Sequence, residues 1–292
     1  MPELPEVESL RRSLLPYLPQ RVVHRVEVRH PKVLVHPAPE VFAQNLSGQQ
    51  FQELDRRGKL LIFRLSQQVL LVHLGMTGQL TFRDPARQDQ PFQRHPHTGL
   101  QRSVQHPVDA HTHISLHFED GCALHYRDIR KFGKIRLVPR DSPQYFQQLA
   151  RVGADPLSPD WSCQPFVSAA KNSHRPIKAI ILDQQIAAGV GNIYADEALF
   201  VAGIRPTTRG HRLSKARLER LFEAIPQVLQ KGLENGGTSF SDYVNADGQQ
   251  GQNQESLLAY GRYGQPCVRC GNLLLRDTVA QRTSSWCGHC QR

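Results

Sequence analysis

Polar and apolar residues alternate through much of the first half of the chain. Across 21–29, Val22, Val26 and Val28 stand among charges, the two-residue period of a strand with one buried face. Short apolar runs at 60–65, 69–74, 113–118, 122–127 and 134–138 read as further strands, and Glu119-Asp120-Gly121 as a hairpin turn between two of them. Many short strands with close turns predict an antiparallel β-sandwich. Ahead of them, Val7, Leu10 and Leu14 fall on one stripe of a helix. From about 140 the pattern changes. Pro143, Pro156, Pro159 and Pro165 mark a connecting segment. Helical spacing then predicts helices over 177–184, 193–201 and 214–233, with Ser214 as N-cap, Gly236 as the stop, and a kink or break at Pro226. Between the first two, residues 185–192 (Q-I-A-A-G-V-G-N) form a glycine-bearing turn. Such a turn connects two helices tightly, and its amides at a helix start are also able to hold a phosphate.

The pattern therefore predicts an α+β protein. An N-terminal antiparallel β-sandwich domain spans 1–138, a linker 139–150, a helical domain 151–255 and a small terminal module 256–292. Residues 83–110, dense in Gln, Pro, His and Arg, have no period and read as an inserted polar loop. Its histidines 95, 97 and 106 are read as loop residues rather than ligands.

Six cysteines divide into two kinds. Cys122 and Cys163 are isolated and read as free thiols. The others form C-V-R-C and C-G-H-C, with sixteen residues between the pairs. Each C-x2-C turn lets two thiolates converge on one metal, and two turns complete a tetrahedral shell. Two disulfides are the alternative. Cys267, Cys270, Cys287 and Cys290 thus predict one structural Zn2+, with His289 outside the shell and a strand over 273–279. A closed shell leaves no position for water, so the metal has no catalytic place.

Charge narrows the partners. The formal net charge is +10 over 292 residues, with 39% apolar residues. The stretch from Gly261 onward carries five arginines and one acid, Asp277. Such a basic excess points to a polyanion. There is no run of eighteen apolar residues, so no membrane helix is expected. The acidic, proline-bearing start is not a signal peptide, so a cytoplasmic protein is expected. Nothing signals oligomers, and a monomer is expected.

The first residues, M-P-E-L-P-E-V-E, carry candidate chemistry. A small second residue permits removal of Met1, exposing Pro2 as a secondary amine. A terminal amine titrates near ~7.7–8.0 against ~10.4 for lysine, so roughly a tenth is unprotonated at neutral pH. Such an amine is a ready nucleophile, and on a sugar C1′ it forms an iminium directly. Glu3 adjoins it and Glu6 follows by one helical turn. The bland alternative is that these glutamates only cap the helix.

Taken in order, these pieces resemble the formamidopyrimidine-DNA glycosylase family over nearly the whole chain. Besides the opening P-E-L-P-E-V-E, Arg57-Gly58-Lys59 looks like the family's lysine segment. His73-Leu74-Gly75-Met76-Thr77-Gly78 is similar to its H-L-G-M-[ST]-G turn, and Asp128-Ile129-Arg130-Lys131-Phe132-Gly133 to its D-x-R-[RK]-F-G loop. Gly189-Val190-Gly191-Asn192-Ile193-Tyr194 resembles the helix–two-turn–helix G-[VL]-G-N-I-Y. Tyr260-Gly261-Arg262 and Ala280-Gln281-Arg282 resemble the lead-in and ribbon of its zinc finger.

The resemblance implies an enzyme of base excision repair acting on damaged double-stranded DNA, in a bacterial-type cytoplasm at the nucleoid. It implies release of oxidised purines, such as 8-oxoguanine and formamidopyrimidines, then β,δ-elimination at the abasic site. Pro2 would attack C1′, and Glu3 would protonate the sugar oxygen and shuttle protons. Glu6 would orient the site. Lys59, Lys178, Asn192 and Arg282 would hold phosphates, joined by Tyr194. Met76, Arg130 and Phe132 would fill the gap left by the extruded base. Two departures stand out. The 83–110 stretch is longer than the usual loop. The segment 245–255, where the family has its lesion-capping loop, lacks the aromatic residue usual after the glycine. Two rivals remain: an endonuclease VIII-like oxidised-pyrimidine glycosylase, against which Leu4 in P-E-L-P-E speaks, and a non-catalytic zinc protein that binds DNA.

Overall fold

The structure is a computed structural model that describes residues 1–86, 108–240 and 242–292. His95, His97 and His106, with most of the expected inserted loop, lie outside the described residues. Helix α1 (Leu4–Leu14) begins with a capping box. The Glu3 N–H donates to the Glu6 carboxylate at 2.8 Å, and Pro5 in the first turn needs no partner for an N–H it lacks. Val7, Leu10 and Leu14 are no more than 1% exposed, each contributing about 1.5–3 kcal/mol through burial.

Among the described residues, nine strands follow: β1 (Val23–Val28), β2 (Leu34–His36), β3 (Phe51–Arg57), β4 (Leu60–Leu65), β5 (Gln68–His73), β6 (Gly78–Arg83), β7 (Thr112–Phe118), β8 (Ala123–Asp128) and β9 (Lys134–Pro139), with helix α2 (Pro39–Leu46) between β2 and β3. They form a four-stranded sheet in the order β1-β7-β8-β6 and a five-stranded sheet in the order β2-β9-β5-β4-β3. All pairs are antiparallel except β2 with β9. Ile114, Leu116, Phe118, Leu124, Tyr126, Leu80 and Phe82 of the first sheet share one core with Leu61, Phe63, Leu70, Val72, Ile135 and Leu137 of the second. The alternate residues Ile62, Val69, Leu71 and Val138 form a second layer with Tyr145. Strand β5 is buried on both faces, so its sequence reads V-L-L-V rather than alternating.

Helix α3 (Pro143–Ala150) supplies Tyr145 and occupies most of 139–150, the stretch expected as a linker. Helices α4 (Cys163–Lys171), α5 (Ile177–Ile181), α6 (Asn192–Ala202) and α7 (Lys215–Glu234) come next, then the hairpin β10 (Leu275–Val279) and β11 (Arg282–Trp286). Pro226 does not break α7. A proline leaves the carbonyl four residues back without its helical donor. Here that Phe222 carbonyl accepts the Trp161 indole N–H at 3.3 Å, and the two rings stack at 5.0 Å.

The chain groups into two compact units, Met1–Ala150 with Asn235–Gln254, and Arg151–Glu234 with Glu255–Arg292. Residues 235–254 therefore pack with the β-sandwich, not with the helical domain expected to extend to 255. The reason lies in their bonds. Gly236 and Gly237, both at positive φ, follow the end of α7. Ala246 N–H then donates to Ser13 Oγ at 3.0 Å, the Ala246 carbonyl accepts from Phe82 N–H at 3.1 Å, and Tyr17 donates to Asp247 at 2.8 Å. No helix among the described residues is long and apolar enough to cross a membrane.

Candidate functional site

In the β-sandwich unit, Pro2, Glu3 and Glu6 are buried, with Met1 exposed ahead of them. The Glu6 carboxylate accepts two backbone donors, Glu3 N–H at 2.8 Å and Thr238 N–H at 2.7 Å. It is thus both helix cap and tie between the chain start and residue 238. Gly237 sits at φ +89, and a Cβ there would meet Glu6 Cγ at 3.0 Å. The Met1 amine is held below its ordinary 8.0 chiefly by burial; the Lys59 charge adds to this, while Glu3, Glu6 and Asp242 oppose it. Lys59 is buried in the β3–β4 turn, where Gly58 takes φ +56 and Arg56 donates to the Gly58 carbonyl at 2.9 Å. His73, paired in register with Leu60, is pushed down to about 4 by burial and by Lys59 and Lys134. Its Nδ1 accepts the Gly75 N–H at 3.1 Å. The chain start therefore places Pro2 beside two buried carboxylates, an arrangement suited to nucleophilic catalysis with proton transfer once Met1 is removed.

A second group in the same unit lies on two loops that touch. Gly75 has φ +66, and a Cβ there would lie 2.6 Å from both Gly133 N and Phe132 C. Asp128, wholly buried, organises the contact. Its carboxylate accepts from Thr77 Oγ1 at 2.5 Å, Gly133 N–H at 2.8 Å, Arg130 N–H at 3.2 Å and Tyr126 OH at 3.3 Å. From this rigid base Met76 is 37% and Phe132 51% exposed, with the Arg130 guanidinium 4.6 Å over the Phe132 ring. An exposed methionine and phenylalanine backed by a buried carboxylate suit insertion into a base stack.

In the second unit the four thiols converge. Sγ atoms of Cys267, Cys270, Cys287 and Cys290 lie within 4.8 Å of one another, with Cys267 to Cys290 at 4.0 Å and Cys270 to Cys287 at 3.5 Å. A tetrahedron with metal–sulfur bonds of about 2.3 Å has edges of about 3.8 Å, whereas disulfide sulfurs sit about 2.05 Å apart. The donor set fits one zinc and excludes the disulfide alternative. Arg269 N–H and Cys290 N–H donate to the Cys267 and Cys287 sulfurs, each at 3.4 Å. Zinc bound here would fix the two turns that flank the β10–β11 hairpin. The hairpin reverses at Ala280 and Gln281, both at positive φ without being glycine, and Arg282 follows, exposed. Cys122 and Cys163 are free thiols.

Two residues expected at phosphates have partners within the protein. Lys178 is 0% exposed, and its ammonium donates to Asp196 at 2.7 Å, Ser284 Oγ at 2.8 Å and the Thr283 carbonyl at 3.0 Å. It ties α5 and α6 to β11 and is not presented to solvent. Tyr194 is 1% exposed and packs where a Cβ on Gly232 would meet its ring at 2.5 Å. Asn192, at the start of α6, is half-buried and donates to the Thr283 carbonyl at 3.0 Å. Sequence reasoning passed over Asp196 and Glu197. Asp196 also accepts from Ser284 Oγ at 2.6 Å and Ser285 N–H at 3.1 Å. Glu197 accepts the N–H groups of Leu258, Ala259 and Tyr260 at 2.8–2.9 Å. Adjacent acids within the apolar N-I-Y-A-D-E-A-L-F were the available signal, since a helix buried all round keeps charge only when it is paired.

Comparison with known proteins agrees with this geometry. Residues 1–135 match the formamidopyrimidine-DNA glycosylase N-terminal domain, 152–244 its H2TH domain, and 264–292 a zinc finger found in FPG and IleRS. The chain belongs to the formamidopyrimidine-DNA glycosylase family. It is 39% identical to the formamidopyrimidine-DNA glycosylase of Geobacillus kaustophilus over 100% of both chains, and 41% identical to that of Moorella thermoacetica over 94% of each. Among solved structures, a complex of Lactococcus lactis Fpg with DNA containing an abasic site is similar with TM-score 0.85 and 30% identity, covering 99% of each chain. The MutM (FPG) protein of Thermus thermophilus has TM-score 0.83 and 36% identity, covering 99% of this chain and 98% of its own. The α+β architecture of β-sandwich, H2TH domain and zinc finger is that of the family.

Proposed function

We propose that this chain is a bifunctional glycosylase and abasic-site lyase that removes 8-oxoguanine and formamidopyrimidines from duplex DNA. The observation that carries the reading is the start of the chain: a buried Pro2 next to the buried carboxylates of Glu3 and Glu6, with Lys59 buried in the β3–β4 turn of the same unit. After loss of Met1, the Pro2 nitrogen attacks C1′ and the damaged base leaves with its electron pair. Glu3 protonates the sugar ring oxygen, the ring opens, and the iminium forms. Loss of a 2′ proton expels the 3′ phosphate, loss of a 4′ proton expels the 5′ phosphate, and water frees the amine. Lys59, Asn192 and Arg282 hold backbone phosphates. Met76, Arg130 and Phe132 occupy the place of the extruded base. Zinc supplies structure only, holding the ribbon that carries Arg282.

The named relatives are bacterial, which supports a place in the bacterial cytoplasm, on the nucleoid, and a single chain carries all the residues invoked. The test is borohydride trapping with Met1-free protein and an 8-oxoguanine:cytosine duplex. A covalent adduct on the N-terminal peptide is expected, and a parallel duplex with an oxidised pyrimidine should trap much less. Pro2→Gly keeps a terminal amine and should still trap, whereas protein retaining Met1 should not. Equal trapping by Met1-retaining protein would place the nucleophile elsewhere. Preferential trapping on the pyrimidine lesion would favour the endonuclease VIII-like activity.

A further inference from the structure

The segment after α7 doubles back, so that 235–239 and 251–254 lie side by side. Gln252 N–H donates to the Asn235 carbonyl at 2.9 Å and Asn253 N–H to the Gly237 carbonyl at 3.1 Å. Gly251 N–H donates to Ser239 Oγ at 2.9 Å, and Ser239 N–H to Gln254 Oε1 at 3.0 Å. Gly251 has no room for a side chain, because the Gly236 and Gly237 carbonyls occupy the place of its Cβ.

The Asn253 side chain, in a residue only 3% exposed, lies between the two passes with both ends of its amide engaged. Its Nδ2 donates to Thr238 Oγ1 at 2.9 Å, and its Oδ1 accepts from Asn235 Nδ2 at 3.1 Å. Thr238 is the residue whose N–H reaches Glu6 at 2.7 Å, and the other Glu6 oxygen holds the Glu3 N–H at 2.8 Å. An unbroken series of short polar contacts thus runs from Asn253 through Thr238 and Glu6 to the peptide joining Pro2 and Glu3. The segment lacks the expected aromatic residue, and a buried amide stands in it instead. Filling space alone would not require one, because a buried amide is tolerated only with its hydrogen bonds made.

We infer that Asn253 is a positioning residue for the reaction, setting the Pro2 nitrogen and Glu3 through Thr238 and Glu6. The inference rests on the reading that Pro2 and Glu3 carry the chemistry. Loosening that relay misplaces the nucleophile relative to C1′ while leaving the phosphate-holding and base-replacing residues untouched. Small misplacements slow the chemical step far more than they weaken binding.

The experiment compares full-length, zinc-loaded wild type with Asn253→Leu, Thr238→Val, the double variant and Thr238→Ser on an 8-oxoguanine:cytosine duplex. Single-turnover excision, KM and borohydride trapping are measured well below each variant's melting temperature. Asn253→Leu and Thr238→Val should each lower kcat roughly tenfold with KM within about twofold. The double variant should be no slower than the slower single variant, because both act through one relay. Thr238→Ser keeps the oxygen and should restore kcat to within about twofold of wild type. If both single variants react at the wild-type rate, or if KM rises while kcat holds, Asn253 does not position the nucleophile. Should Asn253→Leu fail to fold, Thr238→Val, which removes only the hydroxyl, decides alone. Wild type that is not trapped on its N-terminal peptide sinks the reading of Pro2 instead, a result distinct from wild type trapped and the variants unchanged.

Discussion

Lys178→Met separates a structural lysine from a phosphate-binding one. The wild-type ammonium makes three short bonds inside the second unit, to Asp196, Ser284 and Thr283, and is wholly buried. Methionine fills nearly the same volume but leaves the Asp196 carboxylate buried without its cation. Removing one partner of a buried pair costs about 3–5 kcal/mol. Asp196 keeps the Ser284 hydroxyl and the Ser285 N–H, so the lower end, about 3 kcal/mol, is expected. At about 2–4 °C per kcal/mol the unit should melt about 10 °C lower. The pH dependence follows from Asp196, whose pKa is already raised in the fold by burial, with Lys178 working against the rise. Without Lys178 it rises further. A carboxyl with a folded pKa above its unfolded value binds more protons when folded, so stability falls as pH rises through that interval. The deficit of the variant should therefore be largest at pH 8 and shrink toward pH 5. Calorimetry at both pH values measures this, and DNA binding across a salt series measures the alternative. A lysine on a phosphate contributes about 0.9 to the slope of log K against log salt. The slope should be unchanged. A slope shallower by about 0.9 with an unaltered melting temperature would refute the reasoning and return Lys178 to the DNA.

Arg282→Ala, by contrast, should reduce that slope by about 0.9 with little change in melting temperature, measured in the same titration. Stripping zinc with a mercurial should release one zinc per chain and weaken DNA binding more than tenfold; binding unchanged after full release would remove the finger from the interface. Gly75→Ala should cost more than about 2 kcal/mol and impair excision more than non-specific binding, since the new Cβ meets the backbone of the 132–133 loop; a wild-type melt would contradict this. Trp161→Phe should cost about 1–3 kcal/mol by leaving the Phe222 carbonyl without its donor. Adding Pro226→Ala should recover most of that loss by restoring a helical N–H, as thermal denaturation of the single and double variants would reveal.

Short-range patterns carry over into the fold. The spacing of Val7, Leu10 and Leu14 forecast α1, and Glu119-Asp120-Gly121 forecast the β7–β8 turn, because period and turn chemistry are properties of a few adjacent residues. Strand β3, F-Q-E-L-D-R-R, escapes the pattern because its two buried apolar residues, Phe51 and Leu54, are three apart, a bulge between Phe51 and Glu53 breaking the two-residue period. The sequence predicts a kink or break at Pro226, but α7 runs through it, because the donor that satisfies the freed carbonyl comes from Trp161, outside the helix.

The sequence by itself determined the four-cysteine cluster, the loop motifs and the proline and glutamates at the chain start. Those features depend on residue type and near-neighbour spacing, and C-x2-C brings two sulfurs together whatever surrounds it. Only the tertiary structure decided which polar groups face solvent and which are consumed internally. Lys178 and Arg282 are both cations for which the resemblance implies phosphate contacts, but one is enclosed with Asp196 and the other stands on a hairpin end. Glu6 caps its own helix as local rules require, yet its second oxygen is held by Thr238, 232 residues away. Burial and long-range hydrogen bonding are set by what packs against a residue, and a linear pattern carries no record of that partner until the chain has folded.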